Sequence, residues 1–136
     1  MKKFIIFMFL ISFSINLNAS EYAVVVNKKS NIDNISKKQL KKIFLKKQYY
    51  IGKQKVIAIN ISANMPLRIY FEKSILGMDR DRLNSFWTKQ HFHGVSPPST
   101  QSSINSVKLF VQNVDGAIGY LPKNLIDDNL KVVYEF

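Results

Sequence analysis

Four short apolar runs constrain this chain more than anything else in it: "YAVVVN" (22–27), "KVIAINI" (55–61), "AIGYL" (117–121) and "KVVYEF" (131–136). Each is short for a buried helix, and the first three are too continuously apolar for a strand with one wet face, so they read as strands covered on both sides. Helical spacing fills the intervals. "SKKQLKKIF" opens with a capping box, Ser36 and Gln39, and places Leu40, Ile43 and Phe44 on one face and Lys37, Lys38, Lys41 and Lys42 on the other. A second helix starts near Pro66, repeats Leu67, Phe71, Ile75 and Met78, and meets its cap at Gly77. A third follows Asp79 and turns Leu83, Phe86 and Trp87 inward; a fourth carries Ile104, Val107, Val111 and Val114. "HGVSPPSTQSS" (93–103) reads as the one long polar loop, and no hairpin signal is visible. Alternating strands and helices predict a single α/β domain of three layers around a largely parallel or mixed sheet.

Residues 1–19 stand apart from that domain. Lys2 and Lys3, the apolar "FIIFMFLISFSI" and the small-residue "LNA" have the three-part layout of a secretory signal peptide, with cleavage near Ala19. The competing reading is a membrane anchor, but the run is short against the roughly 20 residues a span needs. The expected mature domain is 20–136. Two of the 20 Lys and Arg leave with the leader, and 18 against 9 Asp and Glu give a formal charge of +9. That balance favours anionic partners: a phosphate-like solute, lipid head groups or an acidic protein. An exported chain gives no reason to expect nucleic acid. With no Cys in the sequence, lipid attachment at an N-terminal Cys, disulfides and thiolate chemistry are excluded.

Catalytic patterns are missing. His91 and His93 in "HFHG" would point to one side if extended, but a third ligand and any Cys or Glu cluster are lacking, so two loop histidines flanking a buried Phe92 is the preferred reading over a metal site. No G-x-S-x-G elbow accompanies the serines, and "GAIG" has the wrong spacing for a P-loop or dinucleotide fingerprint. Asp127 and Asp128 fit a cap or solvated turn better than an acid/base couple. The expectation is a protein without enzyme activity, metal or cofactor. The lysine-rich face, continued by Lys46 and Lys47, is either a solvated surface or an electrostatic attractor for anions.

"NISANMPLR" (60–68) is more pointed, because it joins the end of an apolar strand to the start of a helix. Ligands of open α/β sheets bind at such carboxyl ends, and a helix start offers free N–H groups to an anion. Ser62 or Asn64 could cap the helix or hold an oxyanion. Arg68, in the first turn, opposes the helix dipole unless an anion joins them. The candidate ligand-binding residues are Ser62, Asn64, Met65 and Arg68; ordinary capping with a surface arginine is the alternative.

These residues carry a resemblance. "LKKIFLKKQYYIGKQKVIAINI" (40–61), "LRIYF" (67–71), "FWTKQHFHG" (86–94) and "VKLFVQNVDGAIGYLPKNL" (107–125) resemble, in order, blocks of the periplasmic phosphate-binding proteins, the solute receptors of phosphate ABC transporters. The resemblance implies one lobe of a type II periplasmic binding protein, in a small single-lobe member of a group whose members are roughly twice as long and close two lobes on phosphate. It also implies that Gly116 ends a helix in the left-handed conformation and that Gly119 lets a strand pack closely on its neighbour. This chain departs from the group at the ligand turn, where Met65, Pro66 and Leu67 stand in place of Ser-Gly-Thr donors. Two functions stay open: a periplasmic module binding phosphate or another small oxyanion for an ABC transporter, with a membrane permease or envelope receptor as partner, or a protein-interaction or sensor-input module that has lost the solute site.

Overall fold

The computed structural model describes residues 20–136; the expected signal peptide, 1–19, lies outside the described residues. Among the described residues seven strands form, β1 (Tyr22–Asn27), β2 (Tyr50–Ile51), β3 (Gln54–Lys55), β4 (Ile57–Ile61), β5 (Ser99–Gln101), β6 (Ala117–Pro122) and β7 (Leu130–Glu135). Four helices join them: α1 (Lys37–Phe44), α2 (Pro66–Phe71), α3 (Arg80–His91) and α4 (Ile104–Asn113). The main sheet has the order β5-β4-β6-β1-β7. β4 runs parallel to β5 and β6, whereas β1 is antiparallel to both β6 and β7, so the sheet is mixed.

Helices cover both faces. A side chain built at Gly119 in β6 would strike Val107 and Val111 of α4, while the next residue, Tyr120, stacks on Phe71 of α2 with ring centroids 4.0 Å apart. Successive strand residues point to opposite faces, so α4 lies on one side of the sheet and α1 with α2 on the other. Phe44 of α1 meets Phe71 edge-on at 4.8 Å. Interior positions are filled as the apolar runs require: Ala23 to Val26 are all buried, as are Leu40, Ile43 and Phe44. The α1 capping box forms in full, with the Gln39 amide donating to Ser36 Oγ and the Ser36 amide donating to Gln39 Oε1.

Three local expectations need correction. A hairpin does exist: β2 and β3 pair antiparallel about Gly52 and Lys53, with Gly52 at φ +57° supplying the left-handed step. The polar loop 93–103 contains β5, which extends the sheet edge alongside β4. An edge strand of Ser-Thr-Gln keeps its side chains wet and therefore shows no apolar pattern. On α3 only Leu83 is fully buried, with Phe86 and Trp87 half-buried against the core.

Helix α2 continues into a π-helical turn, Glu72–Leu76, closed by Gly77 at φ +65°. The wider turn sends two amides, those of Gly77 and Met78, to the Glu72 carbonyl. It also sets where α3 starts, since Asp79 caps that helix by accepting from the Arg82 amide at 2.9 Å.

Candidate functional site

The turn leaving β4 is folded largely on itself. Ser62 Oγ donates to Asn64 Oδ1 at 2.6 Å, and the Met65 amide donates to the Ser62 carbonyl at 3.1 Å. Met65, not Ser62 or Asn64, is the residue preceding α2, and no side chain caps that helix. The amides of Arg68 and Ile69 both donate to the Met65 carbonyl. Two amides that the sequence offered to an anion, those of Met65 and Arg68, are therefore engaged internally.

What the turn presents instead is carbonyl oxygen. Arg68 Nη1 donates to the Ile61 carbonyl at 3.1 Å, and Arg80 Nη2 donates to the Ala63 carbonyl at 2.8 Å. Between the two guanidiniums lies Glu72, whose Oε1 is 2.8 Å from Arg80 Nη2 and whose Oε2 is 3.6 Å from Arg68 Nε. Arg68 and Glu72 share a helix face because they are four residues apart, and burial of Leu67 and Phe71 turns that face toward the sheet. Arg80 comes from the first position of α3. The cluster is deep: the Glu72 side chain is 7% exposed and that of Arg68 12%, against 37% for Arg80. Arg68 Nε is buried without a hydrogen-bond acceptor among the described residues. Two cations share one carboxylate, leaving one formal positive charge in a low-dielectric setting, where it acts more strongly than in water.

Behind the cluster, Tyr120 donates its hydroxyl to Asn60 Oδ1 at 2.9 Å. Burial pushes the Tyr120 phenol well above its usual range, and nearby Arg68 offsets part of that shift.

The cluster forms one end of an open cleft of about 510 Å³. Asn84, Thr88 and His91, from successive turns of α3, add polar groups to it, and Leu83, Trp87, Phe92, Val95 and Pro97 add apolar surface. Glu72 and Arg80 escaped sequence reasoning. The four-residue step from Arg68 to Glu72 was a visible signal; Arg80 is brought in only by the π-turn and Gly77.

The remaining candidates, apart from His91, which also lines the cleft, lie elsewhere. His91 ends α3 and His93 sits in the turn after it, so the two are not extended, and Phe92 between them is 84% exposed, not buried. Among the described residues no group of three His, Cys, Asp or Glu could hold a metal. Lys37, Lys38, Lys41 and Lys42 are exposed on α1, and none of them pairs with a carboxylate of the described residues. Lys47 lies 5.5 Å over the Phe86 ring. Asp127, in an exposed turn, binds Lys108 at 2.8 Å, which holds its carboxyl below the usual range. Gly116 has φ +79°, and a Cβ there would fall 2.1 Å from the Lys55 carbonyl oxygen; at Gly119 it would fall 2.9 Å from Val107 Cγ1.

A mixed sheet with helices on both faces and a cleft at the carboxyl end of a central strand has the fold of one lobe of a phosphate-binding solute receptor. Specifically, the chain is similar to an ABC-type phosphate transport receptor from Vibrio cholerae (19% identity, TM-score 0.65) and to PstS from Borrelia burgdorferi (18%, 0.62). It is also similar to a protein from Clostridium perfringens described as a phosphate ABC transporter substrate-binding protein with bound phosphate (18%, 0.69). Each match covers 84% of this chain and 44 to 46% of the solved one, so the chain spans less than half of their length. No family model and no curated protein sequence matches it.

Proposed function

We propose that the protein is an exported solute-binding module that takes a small oxyanion at the arginine end of the cleft and presents it to a membrane permease of the ABC type. The observation that carries this reading is the charge imbalance at the cluster: Arg68 and Arg80 share the single carboxylate of Glu72. Arg80, the more exposed of the two, keeps Nε and Nη1 for a ligand, since its internal bonds run through Nη2. Guanidinium groups favour carboxylate- and phosphate-like oxygens through paired hydrogen bonds. Ser62, Asn64 and Met65 are not among the residues lining the cleft; in this reading they hold the turn that carries Arg68 to it. The likeness to receptors described as phosphate-binding supports the oxyanion, and the leader-like 1–19 supports a periplasmic location.

A second reading, an interaction or sensor-input module, is favoured by Glu72 itself, which already lies where an anion would sit between the guanidiniums. Calorimetric titration of the exported protein with phosphate and with sulfate decides between them. Saturable binding that is lost in Arg80→Ala and Arg68→Ala supports the oxyanion site. No binding of either ion, nor of an organic phosphate or carboxylate, up to millimolar concentration refutes it and leaves the interaction module.

A further inference from the structure

The cleft is larger and more apolar than an inorganic ion requires. Its 510 Å³ falls within the range of roughly 300–1,000 Å³ typical of sites for drug-sized organic molecules. Its charged residues are gathered at one end, with Arg68, Glu72 and Arg80. Trp87, about two turns along α3 from Arg80, and Phe92, just past the helix end, lead away from them, and Leu83, Val95 and Pro97 add further apolar lining. Among the described residues Phe92 is the most exposed of the large apolar side chains, at 84%, and it stands at this cleft. A multiply charged inorganic ion would gain nothing from such a wall, and it needs many donors to offset its lost hydration. The Met65 and Arg68 amides are already spent. A singly or doubly charged head on a flat apolar body answers both ends of the cleft at once, since the body is stabilised in proportion to the apolar area it removes from water.

We propose, building on the oxyanion reading above, that the cleft selects an organic anion: a carboxylate or phosphate ester whose head meets Arg80 and Arg68 and whose aromatic or similarly flat body lies against Trp87 and Phe92. Aromatic side chains at a site's rim favour stacked or edge-on contact with such a body.

Trp87 is the single tryptophan of the chain and lines the cleft, so its emission reports occupancy directly. The test compares phenyl phosphate with inorganic phosphate, and benzoate with acetate, using the exported protein, with calorimetry for the variants. The expected result is a dissociation constant at least about tenfold lower for each aromatic member of the pair, as loss of even small apolar groups from a fitted pocket changes binding by about that factor. In Phe92→Ala, whose exposed side chain carries little of the fold, both ratios should fall toward one. The lower dissociation constant of the two aromatic members, phenyl phosphate and benzoate, identifies the preferred head. Equal affinity within both pairs overturns the organic-anion inference while leaving the oxyanion reading in place. No binding by any of the four overturns both. Benzyl alcohol binding as tightly as benzoate overturns the requirement for a charged head.

Discussion

Replacing Glu72 with alanine removes the carboxylate shared by Arg68 and Arg80 and leaves two cations facing each other across the vacated space. Taking one partner from a buried ion pair costs about 3–5 kcal/mol, because the remaining charge stays desolvated. The structure places this case at the low end. Arg80 is 37% exposed and can turn toward water, while Arg68, 12% exposed and tied to the Ile61 carbonyl, cannot follow. A loss of about 3 kcal/mol is expected, equivalent to a fall of roughly 12 °C in the melting temperature for a domain of this size. The same substitution raises the formal charge of the cluster from one to two, so an added oxyanion should restore part of the loss by binding only the folded state. The assay is thermal unfolding of wild type and Glu72→Ala in sulfate and in chloride at matched ionic strength. Sulfate should raise the variant's melting temperature more than it raises that of wild type, the wild-type shift accounting for the general stabilising effect of sulfate. A loss below about 0.5 kcal/mol, within the range of ordinary surface substitutions, would refute the buried-cluster reasoning. So would a sulfate shift identical in the two proteins.

Gly116→Ala should cost about 3 kcal/mol in chemical denaturation, since it combines a left-handed backbone with a Cβ driven into the Lys55 carbonyl, which cannot move aside. Gly119→Ala should cost about 1–3 kcal/mol and be partly recovered by Val107→Ala, because there the obstacle is a side-chain methyl; failure of that rescue would refute the close packing of β6 on α4. Tyr120→Phe should destabilise at neutral pH by about 1–3 kcal/mol, from the unpaired Asn60. The raised Tyr120 phenol lends stability in full below the unfolded-state value of 10.0, and that stability drains away as pH rises above it. The gap between wild type and Tyr120→Phe, read from denaturant midpoints, should therefore narrow by about 1.4 kcal/mol per pH unit beyond pH 10; a constant gap would contradict the burial argument. Ser36→Ala should cost about 1 kcal/mol through loss of the α1 cap, measured in the same way.

The elements that could be read from sequence were those whose burial imposes a period. β1, β4, β6 and β7 announce themselves as apolar runs, and α1 as a two-faced helix with a capping box at Ser36 and Gln39. The pieces that escaped bury little. The hairpin arms are two residues each, and β5 is an exposed Ser-Thr-Gln edge. The expected burial of Phe92 between two loop histidines fails, because α3 ends at His91 and the turn after it carries the ring into solvent. At the site, the position of Arg68 after a strand end could be read from the chain, and Glu72 was within reach at four residues. Arg80 was not. It lies twelve residues from Arg68, and only a π-turn with a left-handed glycine folds it back onto the Ala63 carbonyl in the turn after β4. Nor could the sequence foretell that this turn would aim carbonyls, not amides, at the guanidiniums.

Crystals of the protein soaked in selenate, a tetrahedral oxyanion with a heavy-atom signal, locate the oxyanion site by anomalous diffraction. The strongest peak is expected in the cleft, within hydrogen-bond distance of Arg80 and beside Arg68. Peaks confined to the exposed lysines of α1, with the space around Arg80 holding only water, would contradict it.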